Sequence, residues 1–297
     1  MMLRIRHLLR VKIPLSLSDQ RSKHAANACQ SMRAMSSNNE EDHTINTCDV
    51  VQGPSLLRTP VHRPSPSLLF LPGLRSIPMW TSLSNEGVNR VAYQDPTVSQ
   101  VVDYLEGNVD RIRDEYLEVA SSVKSDYLVN DHSKLHEGEW DWHSYMNKGS
   151  VQGHFANHFR ETATILQKLR KDHILFEGTP FGFCFFSSLH GNSRIKAHSS
   201  PINLRLRIHL PLVVPIGTVS AGSNELKCGI RVGSVVKPWT QDKALVLDDA
   251  YDHEVWNETD ETRVLLLVDI WHPDVTMAER QEIVGMFQQA KGEGLWK

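Results

Sequence analysis

From Leu204 to Leu210 the chain alternates without a break, with Leu204, Leu206, Ile208 and Leu210 on one side and Arg205, Arg207 and His209 on the other. A period of two predicts a β-strand with one apolar and one charged face. On an outer sheet such a charged face would simply meet water. RVLLLVDIW, beginning at Arg263, is apolar on both faces, as expected of a strand buried in a wall. Aromatic FGFCFFSSLHG (181–191), turning at Gly191, LKCGIRVG and ALVLDD add further strands, and GEWDWHSYMNKG, with Trp140 and Trp142, reads as a strand and turn at Gly149. Between Thr97 and Val123, the residues Val101, Leu105, Val109, Ile112, Tyr116 and Leu117 recur at helical spacing, predicting an amphipathic helix that packs one face on the sheets. HFANHFRETATILQKLRK predicts a second helix, and MAERQEIVGMFQQAKG a last one ending near Gly292. The fold opens with LLFLPGLRSIPMW (68–80), where Pro72-Gly73 is a turn and Trp80 an anchor.

Ahead of these elements the composition changes. Arg4, Arg6, Arg10, Lys12, Arg21, Lys23 and Arg33 face a single acid, Asp19, in the first 35 residues, which are also rich in Ser and Ala. This fits either an organelle-targeting peptide or a basic disordered tail, whereas Arg10 and Lys12 interrupt the apolar run that a secretory signal needs. Ser36 to about Pro66 is rich in Ser, Asn, Pro and acids and reads as linker. Residues 1–65 are therefore expected to form an N-terminal extension and 66–297 the folded domain. With 297 residues and 40% hydrophobic content the chain can bury a full core, and its net charge of −3 does not suggest nucleic acid. Cysteines 29, 48, 184 and 228 show no CxxC, so neither a zinc ribbon nor a disulfide framework is indicated. The longest uncharged stretch, LPLVVPIGTVSAGSN, is too broken for a membrane span. The expectation is a soluble protein, cytoplasmic or, if the N-terminus is a transit peptide, mitochondrial or plastid.

Candidate chemistry gathers around two histidines. His198 precedes the alternating strand, and His253 lies in the acidic, aromatic block DDAYDHEVWN, 55 residues on (253 minus 198). Arg263 follows after ten more (263 minus 253). Taken singly, His198 is more often a loop histidine, His253 a hydrogen-bonded core histidine and Arg263 a strand-edge arginine in an ion pair. Together, two His and an Arg fit a mononuclear metal site that also holds a dicarboxylate. His154 and His158, at i and i+4, lack the glutamate of HExxH and read as a surface pair.

The order HSSP, RLRIHL, LDDAYDHEVWN, Arg263 and DIWHP resembles the aspartyl/asparaginyl β-hydroxylase family of iron(II)- and 2-oxoglutarate-dependent oxygenases, over roughly residues 66 to 297. The resemblance implies a mainly β fold, a double-stranded β-helix of the jelly-roll or cupin-like kind with flanking α-helices. It implies Fe(II), 2-oxoglutarate as co-substrate and O2, with hydroxylation of an unactivated carbon coupled to decarboxylation of 2-oxoglutarate to succinate. His198 and His253 then become the metal ligands and Ser200 stands where other families place a carboxylate, a position this family leaves empty. Arg263 is the cation for the far carboxylate, Arg207 and His209 complete the co-substrate site, and Trp140, nine residues before Gly149, lines it. By position the Ser that binds the far carboxylate is Ser187, with Ser188 the competing choice because a one-residue slip reverses the face. Arg205 shares the parity of Arg207 but is placed farther out and left unassigned. Asp249 and Asp252 are candidates to orient the metal-bound imidazole. No apolar span or helical repeat region precedes the catalytic domain, unlike the large animal members, so the substrate stays open between Asp or Asn in a peptide or protein and a lipid acyl chain or other small molecule. A catalytically silent 2-oxoglutarate-binding module and a zinc or manganese cupin that ignores 2-oxoglutarate remain as readings of other classes.

Overall fold

The computed structural model describes residues 69–80, 95–127, 135–218 and 225–294; the expected extension, residues 1–65, lies outside them. Two antiparallel sheets face each other. The larger has the order β3-β2-β4-β11-β6-β9 and the smaller β1-β5-β10-β7-β8. The strands are β1 His136–Glu137, β2 Trp140–Asn147, β3 Ser150–Val151, β4 Cys184–Leu189, β5 Ser193–His198, β6 Arg205–Val213, β7 Cys228–Val232, β8 Val235–Lys237, β9 Leu245–Leu247, β10 His253–Asn257 and β11 Arg263–Trp271. From β4 to β7, and again from β8 to β11, successive strands cross from one sheet to the other. This is the double-stranded β-helix.

Side-chain alternation sorts the large sheet's two faces. Phe186, Leu206, Ile208, Leu210, Leu266 and Val268 pack outward into a cluster with the helices. Leu189, Leu265 and Leu247 turn the other way and meet Ile195, Ile230 and Val255 of the small sheet. The charged parity of β6 thus faces the space between sheets, not water. The strand itself begins only at Arg205, because Ser199–Leu204 forms a loop that contains Pro201, which cannot donate to a ladder. Leu204 joins a third cluster with Phe176, Trp271 and the C-terminal helix residues Ile283 and Phe287.

The helix predicted over 97–123 is two: α1 Pro96–Glu106, capped by the Asp95 side chain, and α2 Val109–Val119, followed by a single 3-10 turn. Gly107 separates them, and the Asn108 side chain donates to the Tyr104 carbonyl; glycine carries the largest backbone entropy cost in a helix. Val101, Leu105, Val109, Ile112 and Tyr116 are buried as expected, but Leu117 is 59% exposed and does not belong to the packed face. The second predicted helix also breaks, at Phe159, into α3 Phe155–His158 and α4 Arg160–Lys171. His154 and His158 are both exposed. α5, Met277–Gly292, starts with a Thr276–Glu279 capping box and ends where the sequence predicts. Among the described residues no helix is long and apolar enough to cross a membrane.

One glycine fixes the turn after β2. Gly149 has φ +71°, donates to Gly182 O at 2.8 Å, and a Cβ there would sit 2.0 Å from Thr179 O. Gly149→Ala combines a left-handed backbone with a clash against main chain, so the expected loss is about 3 kcal/mol or more. Urea denaturation measures it, and a loss under about 1 kcal/mol would show that the turn can move.

Candidate active site

His198 ends β5 and His253 begins β10, and the two are paired across neighbouring strands with ring centroids 4.2 Å apart. Each Nδ1 lies against a backbone carbonyl, Lys196 O at 2.7 Å for His198 and Tyr251 O at 2.9 Å for His253. A carbonyl only accepts, so each Nδ1 is the protonated nitrogen and each Nε2 keeps a free lone pair. Burial lowers the pKa of both rings, for His253 to about 3 with the neighbouring His198 adding to the effect. Both imidazoles are therefore neutral at pH 7, the form that ligates a metal. Among the described residues no group of three or more His, Cys, Asp or Glu is placed to hold an ion. The residues present fit a metal held by two histidines. Ser200 is buried but committed elsewhere: its Oγ accepts from Ile202 N at 3.3 Å and its N–H donates to Asp249 O at 2.7 Å.

The large sheet carries a buried cation on its inward face. Arg263, the first residue of β11, is 1% exposed. Its Nε and Nη2 make no hydrogen bond to any described residue. The guanidinium lies 4.9 Å from the Trp239 ring. Burial lowers its pKa to about 10, so it remains charged at neutral pH. His209 on β6 turns toward the same space, with its Nδ1 buried and unpartnered among the described residues; burial first, then Arg207 and Arg263, hold its pKa well below the usual value. Ser187 is the residue of β4 on this face: it pairs with Leu265 and takes the Trp140 Nε1–H on its Oγ at 2.9 Å. Ser188 faces the helices, with its Oγ 2.6 Å from Tyr116 Oη. Of the two serines left open by the sequence, Ser187 is the one on the inward face that carries Arg263.

The remaining charges form one network. Arg205 meets Asp249 through Nε at 3.3 Å and Asp269 through Nη1 at 2.9 Å. Arg207 meets Asp269 through Nε at 2.8 Å and Nη2 at 3.0 Å, and Asp249 through Nη1 at 3.4 Å. Two sequence expectations change here. Arg205 is not farther out: it is 4% exposed and held by both carboxylates. Asp249 and Asp252 do not orient the imidazoles, since Asp249 is taken by the arginines and Asp252 by Arg231 at 2.8 Å, and the orienting groups are backbone carbonyls. Sequence parity had shown Arg205, Arg207 and His209 as one face, but nothing in it marked Asp269 or Trp239 as their neighbours.

Residues 106–273, which include every site residue above, match the aspartyl/asparaginyl beta-hydroxylase family. The chain belongs to that family. Within the family it is 29% identical over 217 residues to the aspartyl/asparaginyl beta-hydroxylase of Homo sapiens, an overlap of 73% of this chain and 26% of the human protein. The chain thus spans about a quarter of that relative's length. An 88-residue stretch is 46% identical to the ornithine lipid ester-linked acyl 2-hydroxylase of Rhizobium tropici, covering 30% of this chain and 29% of that protein. Among solved structures, a prolyl hydroxylase from Trichoplax adhaerens in complex with a hypoxia inducible factor peptide is 12% identical over 61% of this chain and 90% of its own, with a TM-score of 0.38.

The neutral histidines of this family site set a pH dependence. Unfolded histidines bind protons below about pH 6.5 while His253 and, more weakly placed, His198 resist doing so in the fold. Stability is therefore complete above pH 6.5 and is lost as pH falls toward the folded values, by about 2 kcal/mol at pH 5 for His253 alone. Denaturant midpoints of metal-free protein at pH 7 and pH 5 should show the loss, and His253→Asn should reduce it.

Proposed function

We propose that this chain is an iron(II)- and 2-oxoglutarate-dependent dioxygenase that hydroxylates an unactivated carbon. The observation that carries the reading is the buried, uncompensated Arg263 on the inward face of the large sheet, linked to the pair of neutral histidines by His209, which lies near both Arg263 and His253. A buried cation without a counter-ion is costly unless something supplies the negative charge, and a guanidinium grips a carboxylate through two parallel bonds. His198 and His253 would hold the metal, Arg263 and Ser187 the far carboxylate of 2-oxoglutarate, and Arg207, His209 and Trp140 complete its surroundings. Bound iron supplies the redox chemistry by which one oxygen atom of O2 enters the substrate C–H bond and the other enters succinate, with release of carbon dioxide. The chain's own part is to place the co-substrate, keep both imidazoles unprotonated and keep water from the reacting centre.

The substrate we favour is the β-carbon of Asp or Asn in a peptide or protein, because the similarity to a beta-hydroxylase extends over 217 residues. The 46% identity to an acyl hydroxylase over 88 residues favours, as second reading, a lipid acyl chain. Succinate release with iron(II) and 2-oxoglutarate, tested against Asp- and Asn-containing peptides and against acyl lipids, separates the two. Turnover with neither, together with tight 2-oxoglutarate binding, would point to a silent binding module.

Arg263→Ala should leave metal binding intact and weaken 2-oxoglutarate by about 1.5–3 kcal/mol, the worth of a charge-assisted hydrogen bond; unchanged affinity in the folded variant would sink the assignment. His198→Ala and His253→Ala should each abolish turnover. Ser200→Ala, which forfeits only the bond from Ile202 N, should keep most activity. Ser200→Asp should bind metal more tightly and turn over poorly, because a carboxylate would fill a position the reaction needs. A wild type that is inactive and a Ser200→Asp variant that gains turnover would overturn the two-histidine reading.

A further inference from the structure

We propose that Trp239 is a co-substrate-binding residue: its indole face fixes the plane of Arg263 and its Nε1–H donates to the distal carboxylate. The inference rests on the 2-oxoglutarate reading above and extends it to a residue outside every motif. Trp239 sits in the loop after β8, 3% exposed, within the cluster between the sheets. Its ring lies 4.9 Å from the Arg263 guanidinium carbon and 6.2 Å from the His209 ring centroid. The Trp239 Nε1, like Arg263 Nε and Nη2 and His209 Nδ1, is buried and has no hydrogen-bond partner among the described residues. An indole nitrogen and a guanidinium can only donate. Two neighbouring side chains thus carry three buried donors without an acceptor, and a carboxylate, with two oxygens and about four lone-pair positions, is the chemical class that satisfies them.

The stacking has a second consequence. A cation over an aromatic face is held in orientation while the edge of the guanidinium stays free, which is what a two-bond grip on a carboxylate requires. The loop is tied down to do this. Pro238 precedes the indole, Lys243 N donates to Thr240 O at 3.1 Å and Asp242 N to Pro211 O at 2.9 Å. Trp80 and Trp142 also bury an Nε1 without a partner, but the cation stacked on Trp80, Arg75, already has Asp95 and Asp274.

Calorimetric titration of Mn(II)-loaded, full-length protein tests the assignment, using 2-oxoglutarate and, as a ligand without a distal carboxylate, oxalate. Trp239→Phe keeps the face and loses the N–H; it should weaken 2-oxoglutarate by about tenfold while oxalate and Mn(II) bind as in the wild type. Trp239→Leu, which also loses the face, should weaken it further. Unchanged 2-oxoglutarate affinity in Trp239→Phe, or a parallel loss of oxalate and Mn(II), overturns the proposal. If the wild type binds 2-oxoglutarate and Arg263→Ala abolishes it, failure of Trp239→Phe to respond sinks Trp239 alone; no binding by the wild type sinks both.

Discussion

Two guanidiniums and two carboxylates, Arg205, Arg207, Asp249 and Asp269, neutralise one another inside the barrel, and the site is built around that balance. Removing four charges from water is expensive, and their attraction offsets the cost only where each keeps close partners. Here each arginine touches both carboxylates, and Asp269 also accepts the Phe183 N–H at 3.0 Å. The network joins β6, β11 and the turn before β10. Through its main chain Asp249 also takes the Ser200 N–H, so the segment after His198 and the segment before His253 are fastened at one residue. Replacing any one of the four would leave a charge uncompensated in the interior, which is why these positions bind the architecture more tightly than their contact with any ligand would suggest.

Because that network is electrically closed, Arg263 stands apart. It shares the inward face of the large sheet with Arg207 and His209, but no described carboxylate reaches it. The histidines nearby are held neutral by burial, so they neither repel nor compensate it strongly. Under the proposed function the missing charge arrives with the co-substrate. A dicarboxylate places one negative end at Arg263 and the other toward the histidine pair, and a single ligand then completes both halves of the pocket. Under that proposal a monoacid would leave one half of the pocket unsatisfied, so a diacid is the ligand the site fits.

Much of this was legible in the chain. The strict alternation of Leu206, Ile208 and Leu210 against Arg205, Arg207 and His209 gave the strand and its two faces, and the two-sided apolar run from Arg263 gave the buried partner strand that pairs with it. What alternation cannot say is which face turns inward. On an isolated strand the charged face belongs in water, and only pairing with β11 and the presence of a second sheet reverse that reading. The choice between Ser187 and Ser188 failed to resolve for the same reason, since parity within a strand is relative until a neighbour supplies the register. Asp269 and Trp239 were illegible because their partners lie 62 residues away in Arg207 and 24 residues away in Arg263 (263 minus 239), distances that no local period spans. Helix breaks were missed where a tolerated residue, Gly107 or Phe159, ended a pattern that its apolar spacing would have carried on.

Under the proposed function, the two-histidine character of the site follows from where its donors sit. Neighbouring strands are about 5 Å apart, and His198 and His253 face each other across one such step, close enough to share an ion. On its other side His253 pairs with Val232 of β7, which offers no metal-binding side chain, so the residues that follow His198 are the next to consider. Ser200 is the residue in that place, and it is drawn off twice, its N–H to Asp249 O and its Oγ to Ile202 N. Pro201 stops the segment from continuing β5 as a ladder strand and turns it toward Ile202, which is fully buried. The loop is thus anchored at Asp249 and by the buried Ile202, with a short, neutral side chain at the position where other families place a carboxylate. Under the proposed function the position stays open because serine carries no charge and its Oγ already accepts from Ile202 N, which is why an acid there is expected to change metal binding.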